Sequence, residues 1–246
     1  MDPAKRGQNI HLIRRNARVA GLLYLFASVP AAFSWVYVPN KVIVTGDATA
    51  TADHLRRFES LFRLGIASEL VGLIMFIFVV LTLYRLFEPV SQRQARAMAI
   101  LLLISLPVSF VAVVNEIAAL TVVSGASFLS ALNQNELEAL SYLFIRLHGQ
   151  TLVVAQIFWG LWLVPFGILV IRSGFIPRFL GYLLFLAAAG YIANSGAALV
   201  MPVYRHAVAQ FADRFQMLEM LMILWLLIFG ARVSFVRQQP VIEATA

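Results

Sequence analysis

The stretch LFRLGIASELVGLIMFIFVVLTLYRLF, residues 61–87, decides the fold. From Leu70 to Tyr84 it carries no charge. Coiled as a helix rising about 1.5 Å per residue, it is long enough to cross the roughly 30 Å hydrocarbon layer of a bilayer. Its apolar residues run continuously instead of alternating, which argues against a membrane β-strand. Five further stretches read the same way: Ala17–Val38, Ala97–Val123, Leu140–Ile171, Phe179–Val200 and Phe215–Phe235. The expectation is an all-α polytopic membrane bundle of about six transmembrane helices.

Composition agrees. The chain has 246 residues, 61% of them hydrophobic and only 13% charged, with a mean hydropathy of +0.84. A water-soluble domain carries charge on roughly a quarter of its residues. The surplus of apolar side chains is what a surface facing lipid requires. Cysteine is absent, which excludes disulfide, zinc-thiolate and iron–sulfur chemistry. No Gly/Ser-rich linker or long hydrophilic segment separates a second domain, so one transmembrane domain over residues 17–237 is expected, between cytoplasmic tails at 1–16 and 238–246. Arg14, Arg15 and Arg18 precede the first apolar run in the manner of an export signal, but the run extends to Val38 without a clear cleavage site and reads as a retained helix.

The net charge of +7 is a topology signal and not a nucleic-acid patch, because its cations flank the spans. Lys5, Arg6, Arg14, Arg15, Arg18, Arg85, Arg93, Arg96, Arg172, Arg178, Arg232 and Arg237 fall on one side. Lys41, Arg56, Arg57, Arg63, Arg146, Arg205 and Arg214 fall on the other. Twelve against seven places both termini in the cytoplasm of a multi-pass cell-membrane protein. On the outer side Asp47 or Thr51 is expected to cap a helix, and Asn135 with Glu138 has the spacing of a capping box.

The polar residues inside the spans bear on function. They include Arg63 and Glu69 in the second, Asn115 and Glu116 in the third, Arg146 and His148 in the fourth, Asn194 in the fifth and Glu219 in the sixth. One charged side chain at bilayer depth costs roughly 2.5–3.5 kcal/mol even on the most permissive scale, so these groups require pairing, neutralisation or a wet enclosure. Glu69 shares a helical stripe with Gly65 and Gly72, and Glu116 with Ser105, Ser109 and Ala112. Small residues mark faces where helices pack. A pocket formed by Glu69, Glu116, Glu219 and His148, with Arg63 or Arg146 balancing charge and Asn115 and Asn194 lining it, is the expectation. Arg63 also stands one turn from Glu59, a spacing suited to a surface ion pair. No two histidines share helix-face spacing and no phosphate loop, dinucleotide fingerprint or nucleophile elbow occurs, so no metal and no cofactor is expected.

Several segments, in order, resemble a bacterial membrane family known only as domain of unknown function 4386. They are ARVAGLLYL from Ala17, the Gly46-Asp47-Ala48 turn, Leu61-Phe62-Arg63-Leu64-Gly65, Leu147-His148, and Ser173-Gly174-Phe175-Ile176-Pro177-Arg178 before Gly181. The resemblance implies a multi-span membrane protein and supplies no activity. The leading functional expectation is therefore an outward-facing pocket that binds or transports a small molecule or lipid headgroup, with membrane lipids as surroundings. Its rivals are an intramembrane enzyme using a Glu–His pair on a lipid-like substrate, and a structural or sensory subunit whose charges only specify helix pairing. The sequence carries no sign of oligomeric state.

Overall fold

The computed structural model describes residues 3–231, with side chains from Ile13 onward. The expected C-terminal tail and the end of the sixth expected span lie outside the described residues, as do the side chains of Lys5 and Arg6. Helix α1 (Pro3–Ala32) passes through a π-helical turn (Phe33–Tyr37) into α2 (Val38–Val42). Then follow α3 (Ala48–Arg57), α4 (Glu59–Phe87), α5 (Gln92–Val123), α6 (Gln134–Ser173), α7 (Arg178–Val200), α8 (Arg205–Gln216) and α9 (Glu219–Ile228). No strand occurs among the described residues. Five helical paths are long and apolar enough to cross a membrane: Ile13–Val42, Glu59–Phe87, Gln92–Val123, Gln134–Ser173 and Arg178–Val200. The chain is an all-α membrane bundle. Pro30, Pro107 and Pro165 lie inside helices α1, α5 and α6.

The last path differs from the expected Phe215–Phe235 span. It begins earlier, at Arg205, and breaks at Met217–Leu218 before α9 starts. Gly230, at a φ of 60°, ends α9 with its N–H donating to Trp225 O at 3.1 Å. A positive φ suits glycine and stops a helix, which hydropathy averaged over a window does not register. Helices α8 and α9, of 12 and 10 residues, together measure about 33 Å at ~1.5 Å per residue. They run antiparallel to α7: Ala212 and Phe215 lie against Gly190, and the Phe179 and Trp225 rings stand 6.5 Å apart.

The chain divides into two compact units, residues 1–24, 78–102 and 157–246 in one and 25–77 and 103–156 in the other. Helices α1, α4, α5 and α6 contribute to both. The first unit has an aromatic core in which Trp162 stacks on Phe166 at 5.1 Å and Phe87 meets both Phe166 and Phe175 at 5.6 Å. The second buries Val38, Leu55, Phe62, Ile66, Leu106, Val113, Leu120 and Ile145 in one cluster.

The polar ends of the second unit are closed by side-chain caps. Asp47 accepts from Ala50 N–H at 2.9 Å as the N-cap of α3, as its position implied. Gly46, at a φ of 86°, makes the turn before it and donates to Tyr142 Oη at 2.8 Å. The capping box of α6 is displaced from the expected pair: Asn133 Oδ1 accepts from Glu136 N–H at 3.1 Å, and Glu136 Oε2 accepts from Asn133 N–H at 2.8 Å. Glu138 instead accepts from Arg56 at 3.1 Å and Gln134 at 2.8 Å, tying α3 to α6. Asp47→Ala is expected to lower stability by about 1 kcal/mol. A melting curve indistinguishable from wild type would show that this cap contributes nothing.

Candidate functional site

The site residues Glu69, Glu116 and His148 all belong to the second unit. Each is placed by a face that the local sequence makes narrow. On α4, Gly65 lies against Val38, and Gly72 lies against Ala27 O and Ala31. Both contacts are close enough that Glu69, between them, is turned away from lipid. On α5 the stripe Ser105, Ser109, Ala112 and Glu116 is buried throughout. On α6, His148 lies one turn beyond the buried Ile145.

The three side chains meet. Glu69 is 1% exposed, Glu116 4% and His148 9%. His148 Nε2 stands 3.4 Å from Glu69 Oε2 and 3.7 Å from Glu116 Oε1. One donor atom from each residue lies within 4.8 Å of the other two. Ser34 Oγ donates to Glu69 Oε2 at 3.1 Å. Ser34 belongs to the π-helical turn that follows Pro30, and such turns re-aim side chains inside otherwise regular helices. A survey of charged and amide residues passes over this serine. Its only signal in the sequence is a hydroxyl one turn after a proline within an apolar span.

The remaining oxygens matter as much. Glu69 Oε1 and Glu116 Oε2 are buried and take no hydrogen bond among the described residues. No Lys or Arg among the described residues pairs with either carboxylate. Arg63 is exposed and bonds Glu59 Oε1 at 2.8 Å, the surface pair that its spacing allowed. Arg146 is exposed on α6. Asn115 is half-buried, and donates to Val111 O at 2.9 Å, one turn back on its own helix. Asn194 is half-buried on α7, in the other unit.

Glu219 also belongs to the other unit, in the first turn of α9 just after the break. Tyr24 Oη donates to its Oε1 and Tyr191 Oη to its Oε2 at 3.1 Å. Both of its carboxylate oxygens are thus engaged by phenols, a residue type that charge and amide content alone do not pick out.

The electrostatic balance of the Glu69–Glu116–His148 centre is unfavourable as it stands. Two carboxylates within 4.8 Å repel by about 3.5 kcal/mol at an effective dielectric constant of about 20. One imidazole, even if protonated, neutralises one of them. A proton or an external cation has to supply the rest, because burying an uncompensated ion costs several kcal/mol. The histidine spacing gave no metal motif because the donors come from three different helices. A group of two carboxylate oxygens and one imidazole nitrogen is nevertheless a donor set of the kind that holds divalent metal ions.

Similarity to known proteins is silent on chemistry. An uncharacterized protein of Archaeoglobus fulgidus is 34% identical over 92 residues, a segment covering 35% of this chain and 51% of that protein. The chain therefore aligns with about half the length of that archaeal relative. No solved structure matches. Residues 19–230 match the family described as Domain of unknown function (DUF4386). That match takes in nearly all of the helical bundle, and the chain belongs to this family.

Proposed function

We propose that this membrane protein binds a divalent first-row transition-metal ion at Glu69, Glu116 and His148, and that this centre is the polar site for which its intramembrane charges are retained. The observation that carries the reading is the pair of buried carboxylate oxygens without hydrogen bonds beside a histidine nitrogen. An anionic group such as a lipid phosphate is disfavoured here, because Arg63 and Arg146 are both exposed and the site is acidic. Ligands around a metal held at about 2.0–2.2 Å stand roughly 3–4 Å from one another. The separations of 3.4 and 3.7 Å need little adjustment to reach that arrangement. Magnesium and calcium prefer all-oxygen shells, whereas the imidazole suits zinc or iron and the two carboxylates also admit manganese. Ser34 would orient Glu69 without touching the metal itself.

The test is metal stoichiometry on the full chain in detergent, stripped with a chelator and then equilibrated separately with Zn2+ and Mn2+. About one ion per wild-type chain is expected. Glu116→Gln and His148→Gln should each weaken binding at least tenfold, since losing a direct ligand exceeds the 10–100-fold effect of losing an outer partner. A His54→Gln/His206→Gln variant should bind as wild type does. Less than about a tenth of an ion per chain, or equal loss in the His54/His206 variant, overturns the proposal.

A second reading, an intramembrane enzyme, draws on the 3.4 Å approach of His148 to Glu69, close to the reach that general acid–base chemistry requires. Activity on a lipid-like substrate that persists after complete metal removal would favour it. A purely structural role for these charges predicts a fully hydrogen-bonded core, and the two unengaged carboxylate oxygens count against that.

A further inference from the structure

Away from the acidic centre, a groove of about 530 Å³ is lined by Arg14, Arg15, Arg18, Val19, Leu22 and Leu227. We propose that it is a binding site for an anionic phospholipid, its phosphate held by the three arginines and an acyl chain lying along Val19, Leu22 and Leu227.

The order of residues along α1 matches the order of parts in such a lipid. Arg14, Arg18 and Leu22 succeed one another at steps of one turn, as do Arg15, Val19 and Leu22, so one helix face changes from cationic to apolar. A phospholipid likewise has an anionic head followed by a hydrocarbon tail. A water-soluble phosphate would have no use for the apolar wall. Charge points the same way. Arg14, Arg15 and Arg18 are all exposed, and none has a carboxylate partner among the described residues. Juxtamembrane cations attract anionic lipid by about 1 kcal/mol each, and arginine binds phosphate through two parallel hydrogen bonds.

The groove also has a built wall. Gly21 brings α1 against the backbone of Leu226 and Leu227, and Gly230 brings the end of α9 against Arg14 O and the Arg18 stem. Leu227 is thereby fixed beside Leu22. The volume falls within the range of sites that hold small ligands.

The test uses the full chain in a neutral detergent, with bound lipid counted by native mass spectrometry against added phosphatidylglycerol or phosphatidylcholine. Wild type is expected to retain phosphatidylglycerol at least tenfold more strongly. The Arg14→Gln/Arg15→Gln/Arg18→Gln variant should lose that preference. The Arg85→Gln/Arg93→Gln/Arg96→Gln variant removes equal charge from exposed positions elsewhere and should keep it. Should the first triple variant misfold, Arg15→Gln alone should reduce the preference severalfold, and Leu22→Ser should weaken retention of both lipids. Equal retention of the two lipids by wild type overturns the proposal, as does equal loss in both triple variants. Glycerol phosphate competing as well as the intact lipid would show a phosphate site without a lipid component, and that also overturns it.

Discussion

Glu116→Gln is expected to melt at a higher temperature than wild type when both are free of metal, and at a lower temperature once metal is added. In the stripped protein a proton has to offset the charge of two carboxylates lying within 4.8 Å of each other, and the substitution removes the cost of taking that proton up from neutral solution. It also brings an amide N–H₂ group into a centre where Glu69 Oε1, a buried oxygen, otherwise takes no hydrogen bond among the described residues. Glutamine matches glutamate in shape, so no cavity offsets the gain. Part of the benefit is lost because His148 no longer faces a second carboxylate. A net gain of about 1 kcal/mol is a rise of roughly 2–4 °C for a chain of this size. Metal at a hundredfold excess over its dissociation constant stabilises wild type by about 2.7 kcal/mol, and the variant, binding at least tenfold more weakly, by much less. The order of melting temperatures should therefore invert. If metal-free Glu116→Gln melts lower than wild type, the carboxylate is a structural partner of His148 and the proposed centre loses its energetic basis.

How much of this was readable in the chain depends on which property a residue announces. Length and hydropathy announce spans, and the stretch 61–87 lies within α4. Small residues announce packing faces: Gly65 and Gly72 do border Glu69 against α1 and α2, and the Ser105–Ser109–Ala112 stripe beside Glu116 is buried. The Arg63–Glu59 pair was legible because it lies within one helix turn.

Partner choice across helices was not legible. Glu219 and Glu69 look alike in a span, since both need shelter from lipid. Two tyrosines take Glu219, while a serine and a histidine take Glu69. Tyrosine at a span residue is too ordinary to draw notice. The capping box failed for a different reason. Asn133, Asn135, Glu136 and Glu138 offer two pairings of equal spacing, and only the start of α6 at Gln134 selects the first. The early end of the last helix escaped because Gly230, at a φ of 60°, is a single small residue in an apolar run.

Gly21→Ala is expected to destabilise the bundle severely, although it adds only one methyl group. A Cβ at Gly21 would stand 2.5 Å from Leu227 N and 2.7 Å from Leu226 C. Both are backbone atoms of α9, so relief requires moving one helix off the other and not merely rotating a side chain. Alanine is intrinsically better in a helix than glycine by about 1 kcal/mol, but inserting bulk into a tight core costs about 1–3 kcal/mol and more where the backbone has to shift. The net expectation is a loss of at least about 2 kcal/mol, or roughly 4–8 °C in Tm. Gly149 and Gly196 supply the contrast. Nothing lies within 4 Å of a Cβ at either position, so Gly149→Ala and Gly196→Ala should keep the propensity gain and melt at or slightly above wild type. Melting curves of the three variants in one detergent decide the matter. If Gly21→Ala follows the other two, the close approach of α1 and α9 is not a feature of the folded protein. The groove beside Leu227 would then lose its fixed wall, while the acidic centre, built from α4, α5 and α6, would be untouched.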